Sequence, residues 1–190
     1  MKKGWTTTKL IAIGGLVVIK LLVRIFLYTP LLVTTGSVFA GLSIMIISPF
    51  FKVLTALIIN QVGAVTLFYT LCLFVELPMP MIWPTIVNLI YYPLAGLGVD
   101  VIYLFLKDKK RLFSFVAGFI CNFVDAIITI LLYFTVGIFG TKGLPGFFTL
   151  PIVIVVVAFL ISIMGGFSGY LAYLTYGKIK NTSVIKRIQR

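Results

Sequence analysis

The chain has 190 residues, 61% of them hydrophobic and 11% charged, with a mean hydropathy of +1.20. Average soluble domains are about 45–50% apolar and about 25% charged, so a soluble domain of this length could not hide so much apolar surface, and lipid is the solvent this composition fits. A soluble enzyme, a nucleic-acid-binding domain and a disordered chain are excluded on that ground, and the net charge of +12 reads as loops facing an anionic cytoplasmic leaflet.

A membrane helix needs about 20 apolar residues, and six segments qualify. They cover residues 10–28, 31–49, 53–75, 84–106, 112–137 and 150–176. The first ends at Thr29-Pro30, so the first two helices are expected to form a tight hairpin; the alternative leaves residues 26–33 as irregular backbone. Lys52 is read as the charge that separates the second helix from the third. A Pro-rich connection from Glu76 to Pro84 leads to the fourth, and Lys107-Asp108-Lys109-Lys110-Arg111 ends it. A Gly-rich connection, residues 139–146, leads to the sixth, where Pro151 suits a first helical turn. No dyad alternation indicates a barrel. Lys2, Lys3 and Lys9 resemble the basic start of a signal peptide, but Lys20 and Arg24 interrupt the apolar run that follows, so no cleaved leader is expected. The reading is one all-α domain over 1–190, a bundle of six transmembrane helices.

Orientation follows from the basic residues. With the N-terminus cytoplasmic, Lys2, Lys3, Lys9, Lys52, Lys107, Lys109, Lys110, Arg111, Lys178, Lys180, Lys186, Arg187 and Arg190 lie inside, and only Lys142 lies in an outer loop. That asymmetry predicts cytoplasmic N- and C-termini in a prokaryotic cell membrane.

Polar residues within apolar helices are functional candidates. Lys20 and Arg24 are four apart and share one helix face. Lys20 stands roughly 16 Å and Arg24 roughly 22 Å from Lys9 along the helix axis. Asp125 lies at a similar depth and is expected to form an intramembrane ion pair with Lys20. Gly118, Cys121, Asn122 and Asp125 recur at helical spacing and form a small, polar stripe. Asn60 and Gln61 are placed mid-depth in the third helix and Asn88 in the outer half of the fourth. Each serves either a ligand or an interhelical hydrogen bond. Trp83 suits a membrane interface or the wall of a ligand site. Gly165 and Gly169, and Ala12 with Gly14 and Gly15, mark close helix packing or the docking face of a partner.

No enzyme is indicated. The chain has no histidine, which removes His-based proton transfer and His metal ligands. Cys72 and Cys121 have no metal or redox spacing and read as core residues. Gly96-Leu97-Gly98-Val99-Asp100 is similar to the Gly-x-Gly-Asp of intramembrane aspartyl proteases with one residue too many. Asp100 and Asp125 also lie at depths too different for a shared-proton dyad. Asp100 is expected to pair with the Lys107–Arg111 cluster or with a lipid-facing base near the inner surface. Nothing points to a cofactor or a metal.

The layout resembles the substrate-binding S component of energy-coupling factor (ECF) vitamin transporters. Three stretches carry the resemblance: the basic start leading into the small-residue helix, from Lys2 to Gly15; the unit from Pro93 through Lys107-Asp108-Lys109-Lys110-Arg111 to Gly118; and the ending from Gly165 to Lys178. In the family an Ala-x-x-x-Ala face of the first helix docks the coupling subunit; here Ala12 is followed four residues on by Leu16. The resemblance implies a small-molecule binder with a membrane coupling subunit and ATPase subunits as partners, and with membrane lipids around it. The substrate, a vitamin or precursor, would occupy an outer-half cavity near Arg24, Glu76, Trp83, Asn88, Asn122 and Asp125. Glu76 and Asp125 would suit a cationic ring, Lys20 and Arg24 a carboxylate. The alternative function is a membrane assembly or scaffold protein whose intramembrane polar residues only hold helices together.

Overall fold

A computed structural model describes residues 4–28, 30, 31, 34, 37–77, 85–136 and 151–189. Among these residues there are seven α-helices and no strand. They are α1 (Thr7–Val23), α2 (Ser37–Ile59), α3 (Ala64–Glu76), α4 (Thr85–Leu106), α5 (Lys110–Val136), α6 (Pro151–Ile179) and α7 (Ser183–Gln189). Arg24–Tyr28 continues α1 as one π-helical turn. Four stretches are long and apolar enough to cross a membrane: Thr7–Leu27, Val87–Leu106, Lys110–Ile128 and Val155–Ile179. Their many exposed Leu, Ile, Val and Phe side chains fit a lipid surround.

The main departure from the sequence reading is in α2 and α3. Pro49 lies inside α2, and Lys52 sits in mid-helix instead of in a loop. The chain turns at residues 60–63, where Asn60 (φ 54°) and Gly63 (φ 87°) adopt left-handed backbone. Asn60 and Gln61, expected within a helix, therefore form this turn. The apolar run continues on both sides of it, so hydropathy alone hides the break; the Asn-Gln-Val-Gly chemistry marks it. The expected 31–49 and 53–75 helices become Ser37–Ile59 and Ala64–Glu76.

Each helix is fixed by identifiable contacts. Thr6 caps α1, accepting from the Lys9 amide at 3.4 Å. α3 opens on Gly63 without a side-chain cap of its own. Asp100 of α4 supplies that role from outside, accepting from the Thr66 amide at 2.9 Å, the Thr66 hydroxyl at 2.7 Å and the Val65 amide at 3.3 Å. A carboxylate there meets both the unsatisfied amides and the positive end of the helix dipole. The expectation that Asp100 pairs with the Lys107–Arg111 cluster is corrected accordingly. Gly96 lets α4 approach, because a Cβ there would stand 2.6 Å from Thr66 Cα. The Gly-rich stretch before Asp100 thus serves helix packing.

α5 and α6 form the most extensive helix pair, and α6 also packs along α2. The Gly165–Gly169 face meets Gly118 and the Ser114 backbone of α5 so closely that an added Cβ would overlap backbone atoms. Gly14 and Gly15 behave differently: a Cβ at either would meet open space, whereas Ala12 packs against the core.

One end of the bundle gathers four parts of the chain. Lys9 Nζ donates to Gln61 Oε1 at 2.7 Å, tying α1 to the α2–α3 turn. Tyr103 donates to Asn60 Oδ1. Lys110 Nζ donates to Tyr176 Oη at 3.2 Å. Gln189 Nε2 donates to Leu57 O and Ile58 O, both at 3.0 Å. These are among the last carbonyls of α2, which have no intrahelical donor. The short α7 buries Ile185 and Ile188 there and exposes Lys186 and Arg187.

Candidate functional site

The interior away from that end holds a row of charged side chains drawn from α1, α2, α3 and α5. Glu76, the last residue of α3, is 2% exposed. Its Oε1 accepts from Lys20 Nζ at 2.8 Å. Its Oε2 accepts from Arg24 Nη1 at 2.5 Å and from Tyr92 Oη at 2.8 Å. Lys20 and Arg24 reach the same acid because one helical turn separates them on α1. Lys20 Nζ also stands over the rings of Tyr69 and Tyr92, 5.2 and 5.6 Å from their centroids.

Tyr69 links this trio to a second one. Lys52 is fully buried, and its Nζ stands 4.5 Å from the Tyr69 ring centroid and 6.0 Å from that of Tyr91. Asp125 Oδ2 lies 3.9 Å from Lys52 Nζ, an ion pair without a hydrogen bond. Tyr69 and Ser48 share a hydrogen bond through their hydroxyls. The row therefore runs Arg24, Glu76, Lys20, Tyr69, Lys52, Asp125. It contains three cations and two carboxylates.

The expected Lys20–Asp125 ion pair is corrected by this geometry: Lys20 pairs with Glu76, and Asp125 faces Lys52. The reason lies in α2. Once Lys52 is inside the helix it brings a cation to the depth of Asp125. Lys52 and Tyr69 are the members that sequence reasoning missed, together with Ser48, which bonds Tyr69. A signal existed: Lys52 is the one charge in residues 43–59, and the apolar residues on both sides of it together are long enough for a helix, although Ser48-Pro49 just before it reads as a terminator.

Asn122 makes two interhelical hydrogen bonds. Pro49 lacks an N–H, which leaves the carbonyl four residues earlier, Met45 O, without its helical donor. Asn122 Nδ2 donates to Met45 O at 2.8 Å and to Ile161 O at 3.0 Å, joining α2, α5 and α6. Ser168 of α6 likewise donates to Ile46 O. Asn88 is buried on α4, one turn from Tyr92 on the same face. Trp83 lies outside the described residues. Of the expected substrate contacts, the structure brings Arg24 and Glu76 together with Lys20, and joins Asp125 to them through Lys52 and Tyr69.

No protein-family model, curated protein or solved structure matches the chain.

Proposed function

We propose that the chain is a membrane-embedded solute-binding subunit of an ECF-type importer. It takes a vitamin or vitamin precursor at the Arg24–Glu76–Lys20 end of the row, with Tyr92 and Asn88 beside it and Trp83 in the neighbouring connection. In this reading α1 to α6 all cross a prokaryotic cell membrane, and the end that gathers α7 and the α2–α3 turn is cytoplasmic. The basic residues of α7 and of the α4–α5 connection support that orientation. With Lys52 moved into the interior, twelve Lys or Arg remain on that side against Lys142 on the other. A membrane coupling subunit and ATPase subunits would drive release, and the open Gly14–Gly15 surface of α1 is where the coupling subunit would dock.

The observation that carries the reading is the row itself. A Lys or Arg at the centre of a membrane helix costs about 2.5–3.5 kcal/mol on insertion scales. Lys20 and Lys52 bear that kind of cost in the helix interior, with Arg24 nearer the end of its span, and intramembrane charges commonly mark a solute or ion path. The test is ligand stabilisation. In detergent, a bound solute raises stability by RT ln(1 + [L]/Kd), about 2.7 kcal/mol at a hundredfold excess over Kd. One compound in a vitamin and precursor panel is expected to do so. A folded sample that responds to none overturns the reading.

A second reading has its own support. Glu76 already bonds Lys20, Arg24 and Tyr92, and Asn122 bonds two helix backbones. A membrane assembly or scaffold protein would need no more than that. It predicts that substitutions in the row change stability alone and alter no ligand response.

A further inference from the structure

We propose that the solute is a monoanion, a small molecule bearing one carboxylate, bound at the Lys20–Arg24 end of the row. This rests on the solute-binding reading above and names the class of substrate.

The charges of the whole sequence point to this class. The chain has four acidic residues, Glu76, Asp100, Asp108 and Asp125. Asp100 caps α3 through Val65 and Thr66. Asp108 lies in the connection between α4 and α5, at the far end of the bundle. Glu76 and Asp125 are the two carboxylates in the row, and they face three cations. Asp125 is matched to Lys52. The surplus positive charge therefore belongs to the Lys20–Arg24–Glu76 trio, and no carboxylate side chain remains in the sequence to neutralise it. Lys20 and Glu76 are buried and Arg24 is half-buried beside them, and an uncompensated charge held away from water is costly. A ligand that brings one negative charge removes that cost.

The same count argues against a cationic solute. Both oxygens of Glu76 are engaged by its own neighbours, so a ligand cation would have to displace Lys20 or Arg24. It also argues against a phosphate monoester, which carries about −1.5 to −2 near neutral pH. A single carboxylate matches the surplus and suits the fork of a guanidinium.

One further observation marks this end of the row. The backbone switches to a π-turn at Arg24 itself and stays so to Tyr28. Such single turns inside α-helices often accompany functional sites.

The experiment uses the full chain in detergent and matched acid–amide pairs, nicotinate with nicotinamide and biotin with biotin amide, plus thiamine as a cation and potassium chloride alone. Thermal stability and calorimetric Kd are read for wild type, Arg24→Gln and Arg24→Lys. The expected result is stabilisation by an acid and not by its amide. Arg24→Gln, which removes the surplus charge and keeps the Lys20–Glu76 pair, weakens the acid's Kd about tenfold or more, equivalent to about 1.4 kcal/mol per factor of ten. Arg24→Lys retains the preference for the acid. Equal stabilisation by acid and amide, or stabilisation by thiamine, overturns the monoanion claim and leaves solute binding intact. An equal effect of chloride alone overturns it in favour of an inorganic ion. Stabilisation by none of the compounds overturns the monoanion claim and the solute-binding reading together.

Discussion

Glu76 is the residue on which most of the interior polar geometry depends. It is buried, and three donors from two other helices converge on it. Removing one partner of a buried pair leaves the other charge unpaired, at about 3–5 kcal/mol. Glu76→Gln is therefore expected to lower stability by about that amount, read as the midpoint of unfolding in mixed micelles. A loss below about 1 kcal/mol would mean that water or lipid headgroups already solvate Lys20 and Arg24. The sequence made Lys20, Arg24 and Asp125 conspicuous because each is a charge in an apolar run. It did not show their pairing. Pairing depends on which helix faces which, and a one-residue change in helix phase turns a side chain through about 100°. Lys52 was hidden for a different reason: a basic residue three positions after a proline looks like a loop, and only the packed bundle shows a helix passing through both.

At the scale of elements, glycine spacing decides how close the helices come. Gly118 of α5 faces Gly165 and Gly169 of α6 with no room for a methyl group. Gly118→Ala is expected to force the pair apart and destabilise by about 1–3 kcal/mol. Gly98→Ala is the control. A Cβ there meets open space, so it is expected to be neutral or stabilising by up to about 1 kcal/mol. Equal effects in a thermal melt would contradict the described α5–α6 contact. This pair was legible in the sequence, because Gly165 and Gly169 have the spacing of a close helix contact. The α2–α3 boundary was not. Pro49 looks like a terminator, yet Asn122 and Ser168 serve carbonyls of its preceding turn, Met45 O and Ile46 O, so the helix continues. Those donors lie more than 70 residues away in sequence, beyond the reach of any local pattern.

For the whole molecule, the position of Lys52 separates two topologies with the same number of apolar segments. If Lys52 stood in a cytoplasmic loop, Lys52→Cys would react with a membrane-impermeant maleimide in inside-out vesicles, as Asp108→Cys is expected to. In the bundle described, Lys52→Cys stays unlabelled until the protein is denatured. Native Cys72 and Cys121 are both buried and give little background. The broad class was plain from composition, since 61% hydrophobic residues leave little alternative to lipid. The all-helical architecture followed from the apolar segments, whereas the charged row needed three dimensions, because its members come from four helices.

The central claim is that this row receives a solute, and native mass spectrometry of the protein released from mild detergent tests it most directly. The account predicts a retained adduct of a few hundred daltons, an organic acid, that is lost from Arg24→Gln while the variant remains folded. A folded wild-type protein that carries only lipid, and that gains no adduct when incubated with the acids that should fit, would contradict it. The row would then be a structural device that joins α1 to α5.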